Sequence, residues 1–152
     1  MGMLPRLATL VLCFSAVVSA GELKLVSLFS DHAVLQAGEA AVFGKAHPGA
    51  KVGVKLGAAE AAATAGNDGK WSVTLSGLKP TEQGQDLVVS SGEESFTAHD
   101  VIVGEVWIGS GQSNMEMGIG VCNVPNEIAS ANLPLIRLLN VPKRIAYKIG
   151  RA

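Results

Sequence analysis

The one stretch whose residue types and spacing suggest chemistry is Gly109-Ser110-Gly111-Gln112-Ser113-Asn114. A serine hydroxyl between glycines, delivered by an apolar strand to a tight turn before a helix, can attack an acyl carbon. The neighbouring backbone N–H groups and the positive helix end then stabilise the developing oxyanion. The same string is also a good helix N-cap, because a serine or asparagine oxygen there accepts from the first free N–H groups. Spacing alone favours the cap over the nucleophile.

Partners for such a hydroxyl are sparse. The histidines are His32, His47 and His99, all upstream of Ser113, and each reads as a turn or solvent residue rather than a base. His99 and Asp100 are adjacent, and adjacent side chains on a strand point to opposite faces, so they do not form an orienting pair. Glu105 and Glu116 flank the serine across a strand and a turn and define no carboxylate pair. Paired cysteines, a His-x-x-x-His arrangement and a phosphate-binding glycine loop with lysine are all lacking, so no metal and no cofactor is expected. Cys122 has no base beside it in sequence and reads as a small buried hydrophobe.

The elements that must hold Ser113 fall into two kinds. Leu23 to Phe29, Ala40 to Gly44, Lys51 to Leu56, Lys70 to Leu75, Asp86 to Ser90 and Ser95 to Ala98 show strand alternation or β-branched enrichment. His47-Pro48-Gly49, Asn67-Asp68-Gly69 and Ser91-Gly92 punctuate them with turn chemistry, and Asn67-Asp68-Gly69 is the clearest hairpin signal. An antiparallel β-sandwich over residues 21–100 follows. In Lys70 to Leu75 the odd positions are apolar, which puts Trp71, Val73 and Leu75 in the core. An exposed Trp71 stacking on a sugar is the alternative. The run from Gly57 to Gly66 reads equally as loop, loose strand or helix.

From Val101 to Ile108 the chain becomes nearly continuously apolar, as in a strand buried on both faces. A helical stretch over Asn126 to Leu133 and a strand over Leu135 to Val141 would complete the start of a βαβ unit. Two parallel strands cannot cover themselves, so this part calls for further elements.

The ends and the charge set outer limits. Met1 to Ala20 has the pattern of a secretory signal: Arg6, an apolar run from Leu7 to Val18 and small residues at Val18-Ser19-Ala20. The run is about a dozen residues against the ~20 needed to span a bilayer, so stable membrane insertion is not expected. Cys13 falls in this segment, leaving Cys122 without an internal disulfide partner. Export would place the protein in an extracellular, periplasmic or equivalent lumenal compartment. A net charge of −1 with mixed signs gives no footprint for nucleic acid.

Gly111-Gln112-Ser113-Asn114-Met115, extended by Gly104-Glu105-Val106-Trp107 and Glu116-Met117, resembles the first conserved block of the sialate O-acetylesterase family and its bacterial acetylesterase relatives. Ser30 to Gln36 (SDHAVLQ), Pro48-Gly49, Asp68-Gly69-Lys70-Trp71 and Pro134 to Leu138 (PLIRL) resemble other blocks of that family in the expected order, so the likeness spans most of the chain after Ala20. The resemblance implies a β-rich N-terminal sandwich followed by the beginning of a flavodoxin-like SGNH hydrolase domain over residues 101–152. It further implies hydrolysis of acetyl esters on sugars or polysaccharides through an acyl-serine intermediate, with Ser113 as the nucleophile. Gly111, Gln112 and Asn114 belong to the motif without an assigned role. The Asp and His that activate the serine lie in later blocks that have no counterpart here, and on this expectation the chain is a truncated, inactive front end. Its rival is a noncatalytic exported β module that binds glycan or a protein. Phe43 replaces a common tryptophan of the family, and Gly118 a common proline.

Overall fold

The computed structural model describes residues 22–141; the expected signal segment and Cys13 lie outside them. Eight strands form: β1 Lys24–Leu25, β2 Val34–Gln36, β3 Gly38–Lys45, β4 Lys51–Leu56, β5 Ala59–Thr64, β6 Lys70–Leu78, β7 Gln85–Ser91 and β8 Glu94–Gly104. They make one three-stranded sheet, ordered β1-β3-β6, and one five-stranded sheet, ordered β2-β8-β7-β4-β5. All pairs are antiparallel except β2 with β8.

Period-two alternation explains the packing. Val42, Trp71, Val73 and Leu75 from the first sheet share one buried cluster with Val52, Val54, Leu56, Leu87, Val89, Ala98, Val101 and Val103 from the second. The sandwich and the core position of Trp71, which is 4% exposed, are as expected. That burial removes the ring from any sugar-stacking role. Gly44 makes room for it, since a Cβ there would lie 2.9 Å from Trp71 Cζ2 and would run into the Lys24 carbonyl.

Several local readings need correction. Gly57 to Gly66 contains a true strand, β5, whose alanines alternate half-buried and exposed against β4. Asn67-Asp68-Gly69 turns the chain but closes no hairpin, because β5 and β6 belong to different sheets. The Gly57 and Gly92 turns, at φ +57° and +61°, do close hairpins. Leu135 to Val141 is not a strand, since no neighbouring strand offers it a ladder.

The apolar run from Val101 is the far half of β8, which continues without a break through residues 100 and 101 and stops at Gly104. Within it, Leu87 faces Ala98 but Gln85 faces Val101, so His99 and Asp100 together oppose Asp86 as a β-bulge. Asp100 takes the left-handed conformation, φ +55°. The extra residue shifts the alternation, so Ala98 and Val101, three apart, both point into the core.

Candidate functional site

Beyond Gly104 the chain leaves the sheet and becomes irregular. Ser113 is the first residue of a short 3-10 helix, Ser113–Glu116, tied by Met115 N–H to the Gln112 carbonyl at 2.9 Å and by Met117 N–H to the Asn114 carbonyl at 3.2 Å. A second 3-10 helix, Ile119–Cys122, and the helix α1, Pro125–Ser130, follow. The expected helix over Asn126 to Leu133 is thus shorter and starts one residue earlier, at a proline whose missing N–H costs nothing in a first turn.

Gln112, not Ser113, occupies the cap position, and no side chain bonds the free N–H groups there. The Ser113 hydroxyl makes no hydrogen bond among the described residues, and the residue is exposed. Gly111 sits tight under this turn: a Cβ on it would lie 2.8 Å from Met115 Cγ, and one on Gly109 would lie 3.3 Å from Met115 Cε. Those glycines let the Met115 side chain fold back across the strand-to-turn passage. Gln112 and Asn114 contribute backbone carbonyls to the turn, and their side chains make no hydrogen bond among the described residues.

No titratable partner is brought to Ser113 among the described residues. The Nδ1 of His47 meets the Pro48 carbonyl at 2.8 Å. His99 Nδ1 pairs with Asp86 Oδ1 at 2.9 Å, and His32 Nδ1 with Asp100 Oδ2 at 2.6 Å. The two neighbours His99 and Asp100 therefore serve different partners. Asp86, and more distantly Asp31, push the His99 imidazole above its ordinary value. The His32 hydrogen bond, with Arg137 beside it, holds the Asp100 carboxyl below the usual carboxylate range. Cys122 is exposed, contrary to the burial expected of it, because no core forms around residues 105–141.

What the sequence motifs do is now visible. In SDHAVLQ, the Asp31 carboxylate accepts from His99 N–H at 2.7 Å, and His32 N–H donates to the His99 carbonyl at 2.9 Å. These bonds satisfy backbone groups that the bulge withholds from β7. Gln36 donates to Glu105 at 3.1 Å and accepts from Val106 N–H at 2.9 Å, bracketing the exit from β8. None of these contacts was legible from spacing, since the motif's polar residues act on a strand nearly seventy positions away.

Two shallow hollows among the described residues lie on the sandwich. One is lined by Lys55, Gly57, Gln85 and Asp86; the other by Lys24, Val26, Phe43 and Lys45. Neither reaches Ser113. Phe43 is partly exposed and meets the edge of Phe29 at 5.3 Å between ring centres. The segment around Ser113 is unusually bare, with Trp107 89%, Ile108 92% and Leu138 94% exposed. No group of metal-ligating side chains and no helix long and apolar enough to cross a membrane occurs among the described residues.

No protein-family model and no curated protein matches the chain. Among solved structures, a carbohydrate acetylesterase from Xanthomonas citri superposes with a TM-score of 0.69 at 30% identity, over 74% of this chain and 26% of the other. The chain therefore shares its fold with part of a carbohydrate esterase, and spans about a quarter of that protein's length.

Proposed function

We propose that residues 22–141 are the sandwich and nucleophile segment of a serine carbohydrate O-acetylesterase of the SGNH type, similar to sialate O-acetylesterases and exported from the cytoplasm. The observation that carries the proposal is Ser113 itself: an exposed hydroxyl, engaged by no cap, on a glycine-flanked turn just past the end of β8. Likeness to a carbohydrate acetylesterase supports the substrate class.

In this chemistry Ser113 Oγ adds to the carbonyl carbon of an acetyl ester while a base takes its proton. The sugar hydroxyl then leaves with a proton, and water hydrolyses the acetyl-serine to acetate. The Ser113 N–H at the start of the 3-10 helix has no helical acceptor and is free to face the oxyanion. No histidine among residues 22–141 bonds Ser113, and on the resemblance to sialate O-acetylesterases the base and its orienting carboxylate belong to later blocks.

The test is a chimera in which residues 22–141 replace the matching quarter of the Xanthomonas citri enzyme. Acetate release from an acetylated sugar is expected, and Ser113→Ala should lower it by about 10⁴-fold or more. A fluorophosphonate probe should label Ser113 in the same protein. Hydrolysis that survives Ser113→Ala would refute the nucleophile assignment.

A further inference from the structure

Both ends of the segment that carries Ser113 are fastened to the sandwich, one at β2 and the other at the β8 bulge and the residue before β2. At its start, Gln36 holds Glu105 and Val106 through the two ends of its amide. At its finish, the Arg137 guanidinium donates through Nη1 to the Asp100 and Ala33 carbonyls and through Nη2 to the Asp100 carboxylate at 3.0 Å. Gln36 and Ala33 lie in or beside β2, and Asp100 is the bulge residue of β8 that the Asp31-His32 turn supports.

Arg137 inverts the usual ordering of side chains. Its side chain is 16% exposed, while the apolar Ile136 and Leu138 on either side are 63% and 94% exposed. A partly buried guanidinium beside exposed leucine and isoleucine is held there by engaged donors, and its fork geometry is what two carbonyls and a carboxylate require.

The backbone gives an independent sign. His32 and Asp100 are both left-handed, at φ +64° and +55°, a region that glycine occupies freely and side chains disfavour. They contact one another. A bulge that needed only a left-handed residue would be served by glycine, so the Asp100 carboxylate has work beyond the turn.

We infer that Arg137 is a positioning residue: with Gln36 it closes residues 106–136 into a loop anchored at one end on Gln36 and at the other on Asp100 and Ala33, presenting Ser113 from the sandwich edge. The consequence for Ser113 rests on the nucleophile reading above; the tether itself does not. Its occupant is this chain's own backbone, and the β-sandwich becomes a platform for the reactive segment rather than a separate module.

The experiment is ¹⁵N relaxation on the whole 152-residue chain, with thermal unfolding recorded in parallel. In the wild type, the amides of Ile136 to Leu138 and of Val106 should show order parameters near the rigid-backbone level of about 0.85. Arg137→Ala should drop Ile136 to Leu138 below about 0.6 while Val106 stays ordered and the sandwich midpoint falls by no more than a few degrees; Gln36→Ala should free Val106 and spare Ile136 to Leu138. Arg137→Lys should not restore order, because a single ammonium cannot span three acceptors. Asp100→Gly separates a latch from a mere turn: glycine suits the bulge and only the carboxylate's bonds to His32 and Arg137 go, so the sandwich should still unfold cooperatively, with a midpoint lower by a few degrees at most, while Ile136 to Leu138 loosen. Ordered Ile136 to Leu138 in Arg137→Ala or in Asp100→Gly, or mobility there in the wild type, overturns the inference. No ester enters the measurement and Ser113→Ala should leave it unaltered, so it stands or falls apart from the esterase reading.

Discussion

At the scale of single residues, polar side chains here act mainly on backbone, and pH reports which ones. His99 is raised by Asp86 first and Asp31 second, so the folded state holds a proton that the unfolded chain gives up near ~6.5. Its contribution to stability is fully present below that value and fades as pH rises through the higher folded value. An NMR titration should find His99 above the ordinary imidazole range, and Asp86→Asn should return it toward that range; a wild-type His99 titrating at its ordinary value would exclude the pairing. Asp100 has the opposite sign. His32 and then Arg137 lower it, so its contribution is present above ~3.9 and is lost only as pH falls through the lower folded value. The loosening of Ile136 to Leu138 should therefore set in below the range where ordinary carboxylates titrate. His99 is exposed and Asp100 half-exposed, and both effects should weaken with added salt.

At the scale of elements, a glycine decides how closely two strands approach. The close contacts a Cβ on Gly44 would make with the Lys24 carbonyl and Trp71 should make Gly44→Ala cost about 1–3 kcal/mol, the range for an overfilled site. Trp71→Ala, which empties the site, should cost about 3–5 kcal/mol. Urea unfolding monitored by circular dichroism measures both, and a neutral Gly44→Ala would show that β1 is free to move away. The alternation of Trp71, Val73 and Leu75 was legible in sequence because a strand with one wet face writes its period directly. β5 was hard to read because alanine carries helix propensity but little apolar area. β8 read as two elements because a bulge breaks the period at His99-Asp100, and nothing in that dipeptide names Asp31, His32 and Arg137 as its partners. Spacing alone favoured Ser113 as a cap, and only the family resemblance singled it out as a nucleophile; the apolar run from Val101 to Ile108 suggested one buried strand, of which only the part up to Gly104 lies in the sheet. Burial depends on what lies opposite, which a sequence window does not hold.

At the scale of the whole molecule, the sandwich and the segment after it differ in kind. The core cluster draws on residues from Phe29 to Val103 and on none beyond. Residues 106–141 leave Trp107, Ile108, Val121, Ile136 and Leu138 in water, more apolar surface in one stretch than a lone soluble domain ordinarily shows. The sandwich should therefore fold without that segment. Ending the chain after Glu105 removes the Arg137 latch and half of the Gln36 bracket but no core side chain, so the thermal midpoint should fall by only a few degrees, the ~4–8 °C that about 1 kcal/mol is worth in a domain of this size. Self-association should fall at the same time, because the bare side chains go with the segment; sedimentation velocity over a concentration series would compare the two chains. In the longer chain with Trp71→Phe, the remaining Trp107 should emit at a water-exposed wavelength and be readily quenched by acrylamide. In the chimera with the rest of the acetylesterase its emission should move to the blue, because the hydrolase portion would then cover it. A loss of cooperative unfolding on truncation would instead make the segment part of the sandwich's own core, and the division between a self-sufficient platform and an uncovered arm would not hold.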